Sequence, residues 1–196
     1  MCLVAVPRRA AAEWHVTPML GVTFAGRTTL FDPQLAADKR HTDFGGAVTL
    51  LGAGVVGAET VIAITPGFFQ TDKTPLGTQT EVVPIKSSRM VAWMANAVLT
   101  TPRRWTEYSL RPFVSGGFGI LHATETQALE VLPLIHPGMA GFNIGGGAVG
   151  FLTKRTGVRF DLRYYRSLSG PDPSEVSPGT NRLHYMTASV GLVLRR

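Results

Sequence analysis

Glu59, Arg111, Arg159, Asp161 and Arg163 are charged residues set into otherwise apolar stretches, and three of them alternate within five positions, RFDLR at 159–163. Alternate residues of a β-strand share one face, so Arg159, Asp161 and Arg163 project to the same side about 7 Å apart. One aspartate does not neutralise two arginines, which makes Glu59 the expected partner from another segment. In an enclosed space such charges must be paired or hydrated, because desolvating one alone is very unfavourable. Two chemistries fit: a salt-bridge gate or small-anion site, and a static plug that neutralises and stiffens the interior. The plug is the favoured reading if the strands close around these charges, since a small closed sheet holds little more than its own side chains.

Other reactive constellations are weaker. The five histidines, His15, His41, His122, His136 and His184, show no H-x-x-x-H spacing and no acidic partner at ligand spacing. We therefore expect no metal site and no cofactor. His184 with Ser189 or Ser167 is the pair on which a barrel-borne lipid hydrolase would be built, but nothing orders a triad and G-x-S-x-G is absent. The glycines of GFNIGGGAVG (141–150) lack the strand-to-helix setting of a dinucleotide site, and strand glycines in a crowded barrel explain them better. The expectation is a protein that is not an enzyme.

The chain has 196 residues, the length of a single domain, with 16% charged residues, 22 glycines and a slightly positive mean hydropathy of +0.14. Soluble domains average about 25% charged. Residues 44–70 carry one charge, Glu59, but Gly52, Gly54, Gly57 and Pro66 interrupt the window and Val, Thr and Ile fill it. Those residues favour two strands and a glycine turn over a helical hairpin. The lone cysteine, Cys2, excludes an internal disulfide. Residues 1–12, MCLVAVPRRAAA, are expected to be the remnant of a secretory signal with Ala10-Ala11-Ala12 as cleavage site, or a disordered arm; residues 13–196 form the domain.

Four long polar segments (27–43, 71–88, 123–141 and 169–182) alternate with three short ones (52–56, 101–108 and 153–156). Between them lie eight stretches of strand character. Trp14, Val16, Pro18, Leu20, Val22 and Phe24 oppose His15, Thr17, Met19, Gly21 and Thr23; Thr60, Ile62, Ile64, Pro66 and Phe68 oppose Glu59, Val61, Ala63 and Thr65. Val158, Phe160, Leu162 and Tyr164 oppose the charged triplet, and His184, Met186, Ala188, Val190, Leu192 and Leu194 oppose Tyr185, Thr187, Ser189 and Gly191. The second, fourth, fifth and sixth strands are rich in Gly and Ala on both faces. One face is thus apolar, and the other carries small residues such as Gly21, Gly45, Ala47, Thr49, Ser115, Gly117, Gly119, Gly145 and Gly147. Small residues suit a narrow lumen better than a face open to water. The fold class expected is all-β: an eight-stranded antiparallel up-and-down transmembrane β-barrel, closed so that no edge meets lipid, with long connections on one side and short ones on the other.

This reading distributes the remaining charges and aromatics. Arg103, Arg104, Lys154, Arg155, Arg195 and Arg196 fall at the short-turn end and form a basic periplasmic rim, suited to anionic phospholipid headgroups or simply to solvation. With the long loops near neutral, the net charge of +6 does not point to nucleic acid. Trp14, Trp105 and Tyr108 are placed for the periplasmic aromatic girdle; Phe24, Phe68, Phe69, Tyr164 and Tyr165 are placed for the outer one.

GAETVIAITPGFF (57–69), RPFVSGGFGI (111–120), NIGGGAVGF (143–151) and GVRFDLRYYRSL (157–168), with the closing SVGLVLRR (189–196), resemble the small outer-membrane β-barrel domain family of the OmpA-like and opacity-protein type. The resemblance runs over most of 14–196 and rests on Gly/aromatic patterning, so it speaks to architecture more than to activity. It implies an outer-membrane location, the lipid bilayer and the barrel-insertion machinery as partners, a monomer, and a structural, surface-interaction or narrow-pore role. The family usually ends on an aromatic residue, whereas this chain ends Leu194-Arg195-Arg196. The alternative is a soluble periplasmic lipocalin-like calyx that binds an apolar ligand; it has the same strand count with every side chain inverted.

Overall fold

Strands of alternating apolar and small or polar residues close on themselves here because each face has a different destination. The computed structural model describes residues 13–28, 40–52, 55–68, 85–102, 110–127, 138–168 and 183–196. They form β1 (Glu13–Thr28), β2 (His41–Leu51), β3 (Val56–Pro66), β4 (Ile85–Thr100), β5 (Arg111–Gln127), β6 (Met139–Phe151), β7 (Thr156–Ser167) and β8 (Leu183–Arg195). Every strand pairs antiparallel with its chain neighbours, and β8 pairs back onto β1, giving a closed barrel in sequence order.

The exterior is apolar. Leu20, Phe44, Ile62, Trp93, Phe118, Ile144, Phe160, Leu162 and Val190 are all exposed on the outward face. A continuous belt of this kind around a sheet without edges is what hydrocarbon requires and what water penalises. It has the opposite polarity to a lipocalin-like calyx, whose apolar residues would face inward. Trp93 is tied down on this surface: its Nε1 donates to Thr60 Oγ1 at 3.0 Å, and Thr60 in turn donates to the Met94 carbonyl.

Several strands run past the polar boundaries read from the sequence. The segments 27–43, 71–88 and 123–141 contain strand residues 27–28, 41–43, 85–88, 123–127 and 139–141. Ser87 faces Thr126, Ser88 faces Glu125 and Arg89 faces Thr124, so the β4–β5 ladder continues through polar side chains. A hydropathy boundary marks where lipid contact ends; the backbone ladder continues beyond it.

Two local features shape the outer end. In β1 the register against β8 shifts between Phe24 and Arg27, at Ala25 with φ 50°. At the end of β3, Gly67 adopts φ 71° and its N–H donates to the Ser88 carbonyl at 2.7 Å, turning the chain inward. Phe68 is therefore buried, not part of the outer girdle expected for it. Its ring meets Tyr185 edge-on at 5.2 Å. Tyr165 is likewise inside, stacked on Tyr185 at 4.8 Å, while Tyr164 takes the outward position beside Phe142 and His184. Trp14 stands outward at the end of the short connections. Phe69, Trp105, Tyr108, Arg103 and Arg104, with residues 1–12 and His136, lie outside the described residues.

Candidate functional site

The charged layer of the lumen is built by β7 and β3. Arg159, Asp161 and Arg163 occupy successive inward positions of β7, and Glu59 projects from β3 across the barrel. Arg159 donates through Nη1 to Glu59 Oε2 and through Nη2 and Nε to Asp161 Oδ2. Arg163 Nη2 reaches both acids, Glu59 Oε1 at 2.9 Å and Asp161 Oδ2 at 2.9 Å, and its Nε donates to Asp161 Oδ1 at 3.2 Å. All four side chains are buried.

Uncharged groups complete the set. Thr49 Oγ1 donates to Glu59 Oε2 at 3.0 Å. The Asn96 amide is oriented with its oxygen toward Arg163 Nη1 at 2.6 Å and its nitrogen toward Asn143 Oδ1 and the Ala95 carbonyl. Two arginines and two carboxylates thus balance within one layer. Ion pairs taken out of water hold only when geometry is good and the leftover donors and acceptors are met, as here.

β4 brackets this layer with apolar residues. It reads Met90, Ala92, Met94, then Asn96, then Val98 along its inward face, and all are buried. Toward the outer end the lumen is filled by Phe68, Met90, Met94, Leu121, Tyr165 and Tyr185 with smaller neighbours. Toward the end of the short connections Leu51, Val98, Phe113, Val149 and Val193 form a second apolar cluster inside the barrel. The Phe113 ring lies 4.3 Å from the Arg159 guanidinium carbon, a cation–π contact that joins the two layers.

Glycines make the room. A Cβ on Gly147 would lie 1.8 Å from the Phe160 carbonyl oxygen, and one on Gly117 would lie 1.9 Å from that of Ala95. Only hydrogen fits there, because the backbone of the neighbouring strand, and at Gly117 also the Asn96 amide, fills the space.

Arg111 is also buried but sits nearer the mouth, its Nε donating to the Thr101 carbonyl at 2.9 Å. It lines a cavity of about 20 Å³ together with His15, Thr17, Glu59 and Arg159. That volume suits a single water molecule. Below it, Arg195 turns into the barrel mouth, 3.3 Å from Glu13, with its guanidinium over Phe151. Of the residues assigned to the basic rim, Arg195 is thus an inward ion-pair partner, whereas Lys154, Arg155 and Arg196 are exposed. Arg196 closes the β1–β8 seam by backbone bonds to Trp14. His184 points outward while Ser189 and Ser167 point inward, and Ser167 Oγ accepts from the Leu183 N–H at 3.0 Å. The pairing needed for a hydrolase is not assembled by these residues.

The chain matches no family model and no curated protein in sequence. Solved structures match over nearly its whole length. OprG of Pseudomonas aeruginosa, an outer-membrane protein, shares 14% identity at TM-score 0.63, covering 95% of this chain and 97% of that one. Ail, the attachment invasion locus protein of Yersinia pestis, shares 12% at TM-score 0.52, covering 94% and 98%. Neisserial surface protein A shares 11% at TM-score 0.51, covering 92% and 97%. The protein therefore has the fold of the small eight-stranded outer-membrane β-barrels.

Proposed function

We propose that the protein is an integral outer-membrane barrel whose lumen is closed by its own side chains, and that its role is structural and surface-presenting. The observation that carries this reading is the neutral Glu59–Arg159–Asp161–Arg163 layer held between two apolar layers. An ion passing through would have to break those pairs and squeeze past the apolar side chains on either side of them, where the cavity beside Glu59 and Arg159 has room for about one water. Insertion by the barrel-assembly machinery and a monomeric state belong to the same reading, as do lipid contacts of the exposed basic residues Lys154, Arg155 and Arg196.

Planar-bilayer recording of the purified, refolded protein tests it. Negligible conductance is expected for the wild type, and the Asp161→Ala variant, left with excess positive charge, should admit anions. Steady ohmic conductance in the wild type would overturn the closed-lumen reading.

A further inference from the structure

Small side chains on one side of the exterior leave a groove in the lipid-facing surface. Gly146 on β6 and Ala188 on β8 form its floor, and Leu20, Val22, Phe160 and Leu162 form its walls. The register places Gly146 beside Leu162, Leu162 beside Ala188 and Ala188 beside Val22, so the depression runs across four consecutive strands. It is a shallow, open depression of about 600 Å³. A second depression of about 450 Å³ shares Leu20 and Val190 with it and continues to Leu192, toward the periplasmic end. From Ala188 to Leu192 is about 13 Å along β8 at the usual strand rise. The shape suits an acyl chain lying along the strands.

A cation stands above this groove. The outward row of β7 reads Val158, Phe160, Leu162, Tyr164 and then Arg166, about 13 Å beyond Leu162 at the same rise. Arg166 is exposed, pairs in register with His184 on β8, and has no ion pair among the described residues. The described outward positions of β7, β8 and β1 carry no carboxylate. A guanidinium at the outer edge of an apolar belt, beside an imidazole and below the long connections, matches a phosphate at headgroup depth.

We propose that the β6–β7–β8–β1 face binds one class of amphiphile, the phosphorylated and acylated saccharolipid (lipid A) of the outer leaflet, with its phosphate on Arg166 and an acyl chain in the groove over Ala188. The proposal rests on the outer-membrane reading and commits to the outer leaflet because Arg166 lies at the long-connection end. Arg89, outward at the outer end of β4 on another side of the barrel, stands above Val91 and Trp93 instead.

Native mass spectrometry of the refolded full chain in detergent, titrated with bisphosphorylated lipid A, tests the assignment. Gel mobility before and after boiling scores folding separately, so failure to form the barrel is distinguishable from failure to bind. Wild type should retain the lipid. Arg166→Ala and Ala188→Leu, which fills the groove, should each weaken retention about tenfold, the scale of a lost charged hydrogen bond. Arg166→Lys should bind like wild type, as should Arg89→Ala. Dephosphorylated lipid A should bind the wild type about as poorly as intact lipid A binds Arg166→Ala. No retention by the wild type, full retention by both weakened variants, or equal loss in Arg89→Ala would overturn the site. Equal affinity for phosphatidylglycerol would overturn the choice of lipid.

Discussion

Glu59 and Arg163, 104 positions apart in the chain, meet at 2.9 Å in the middle of the barrel. The contact spans the lumen from β3 to β7, and Arg159 makes a second one to the same carboxylate. Glu59 is therefore the group that lets one strand carry two arginines.

Removing that carboxylate should be expensive. Glu59→Ala leaves two buried guanidinium groups sharing Asp161, and breaking a buried pair from one side costs about 3–5 kcal/mol. Glu59→Gln, which keeps acceptors in place, should lose less. Equilibrium urea unfolding in detergent micelles, followed by tryptophan emission, measures both; equal stability of all three forms would show the layer to be hydrated.

The two faces should respond oppositely to a new charge. Leu162→Arg or Val190→Arg places a cation on the lipid side near mid-height, and a cost of about 2–4 kcal/mol is expected there. Thr187→Arg points into the lumen beside Arg163, where crowding and like charge, not contact with hydrocarbon, set its cost. The comparison is made by unfolding in phospholipid vesicles against detergent micelles, and an absence of cost at both Leu162 and Val190 would mean the register is wrong.

Glycine substitutions separate close approach from mere flexibility. Gly147→Ala meets the Phe160 carbonyl at 1.8 Å and should prevent efficient closure. Gly46→Ala, whose nearest neighbour is the Thr17 carbonyl oxygen at 3.5 Å, should fold normally. The fraction of heat-modifiable protein after refolding reads the difference.

The stacked pair in the outer half of the lumen gives a fourth test. Tyr165→Ala removes a fully enclosed ring from its stack with Tyr185, and truncation of a buried aromatic costs about 3–5 kcal/mol. Tyr164→Ala, at the neighbouring outward position, should cost less than half as much in the same assay. Reversed magnitudes would place the wrong tyrosine inside.

The strands were legible where their two faces differ in kind. β7 is the clearest case, with Arg159, Asp161 and Arg163 set against Phe160 and Leu162, and the sequence alone placed Glu59 as their partner. The apolar filling of the outer lumen was hidden because β4 is apolar on both faces: Met90, Ala92 and Met94 look inward while Val91, Trp93 and Ala95 look out. Parity also misplaced Phe68, which shares the outward phase of Ile62 and Ile64 until the Gly67 turn reverses it. Tyr164 and Tyr165 are adjacent, so a strand can send only one of them outward. Arg195 groups by position with the rim cations, and only the pairing of β1 with β8 sets Glu13 beside it, inside the barrel mouth.

The layered lumen also bears on how the barrel is assembled. Glu59 and the β7 arginines come together only when β3 and β7 face each other across a finished cylinder. A sheet with β8 still unpaired from β1 would keep the Asp161 pairs within β7 but leave Glu59 and the surplus arginine charge against lipid or in a half-open trough. Every intermediate short of closure is then penalised by the groups that lock the final state. Insertion should accordingly behave as a single cooperative event, with zippering of the β1–β8 seam as its last step.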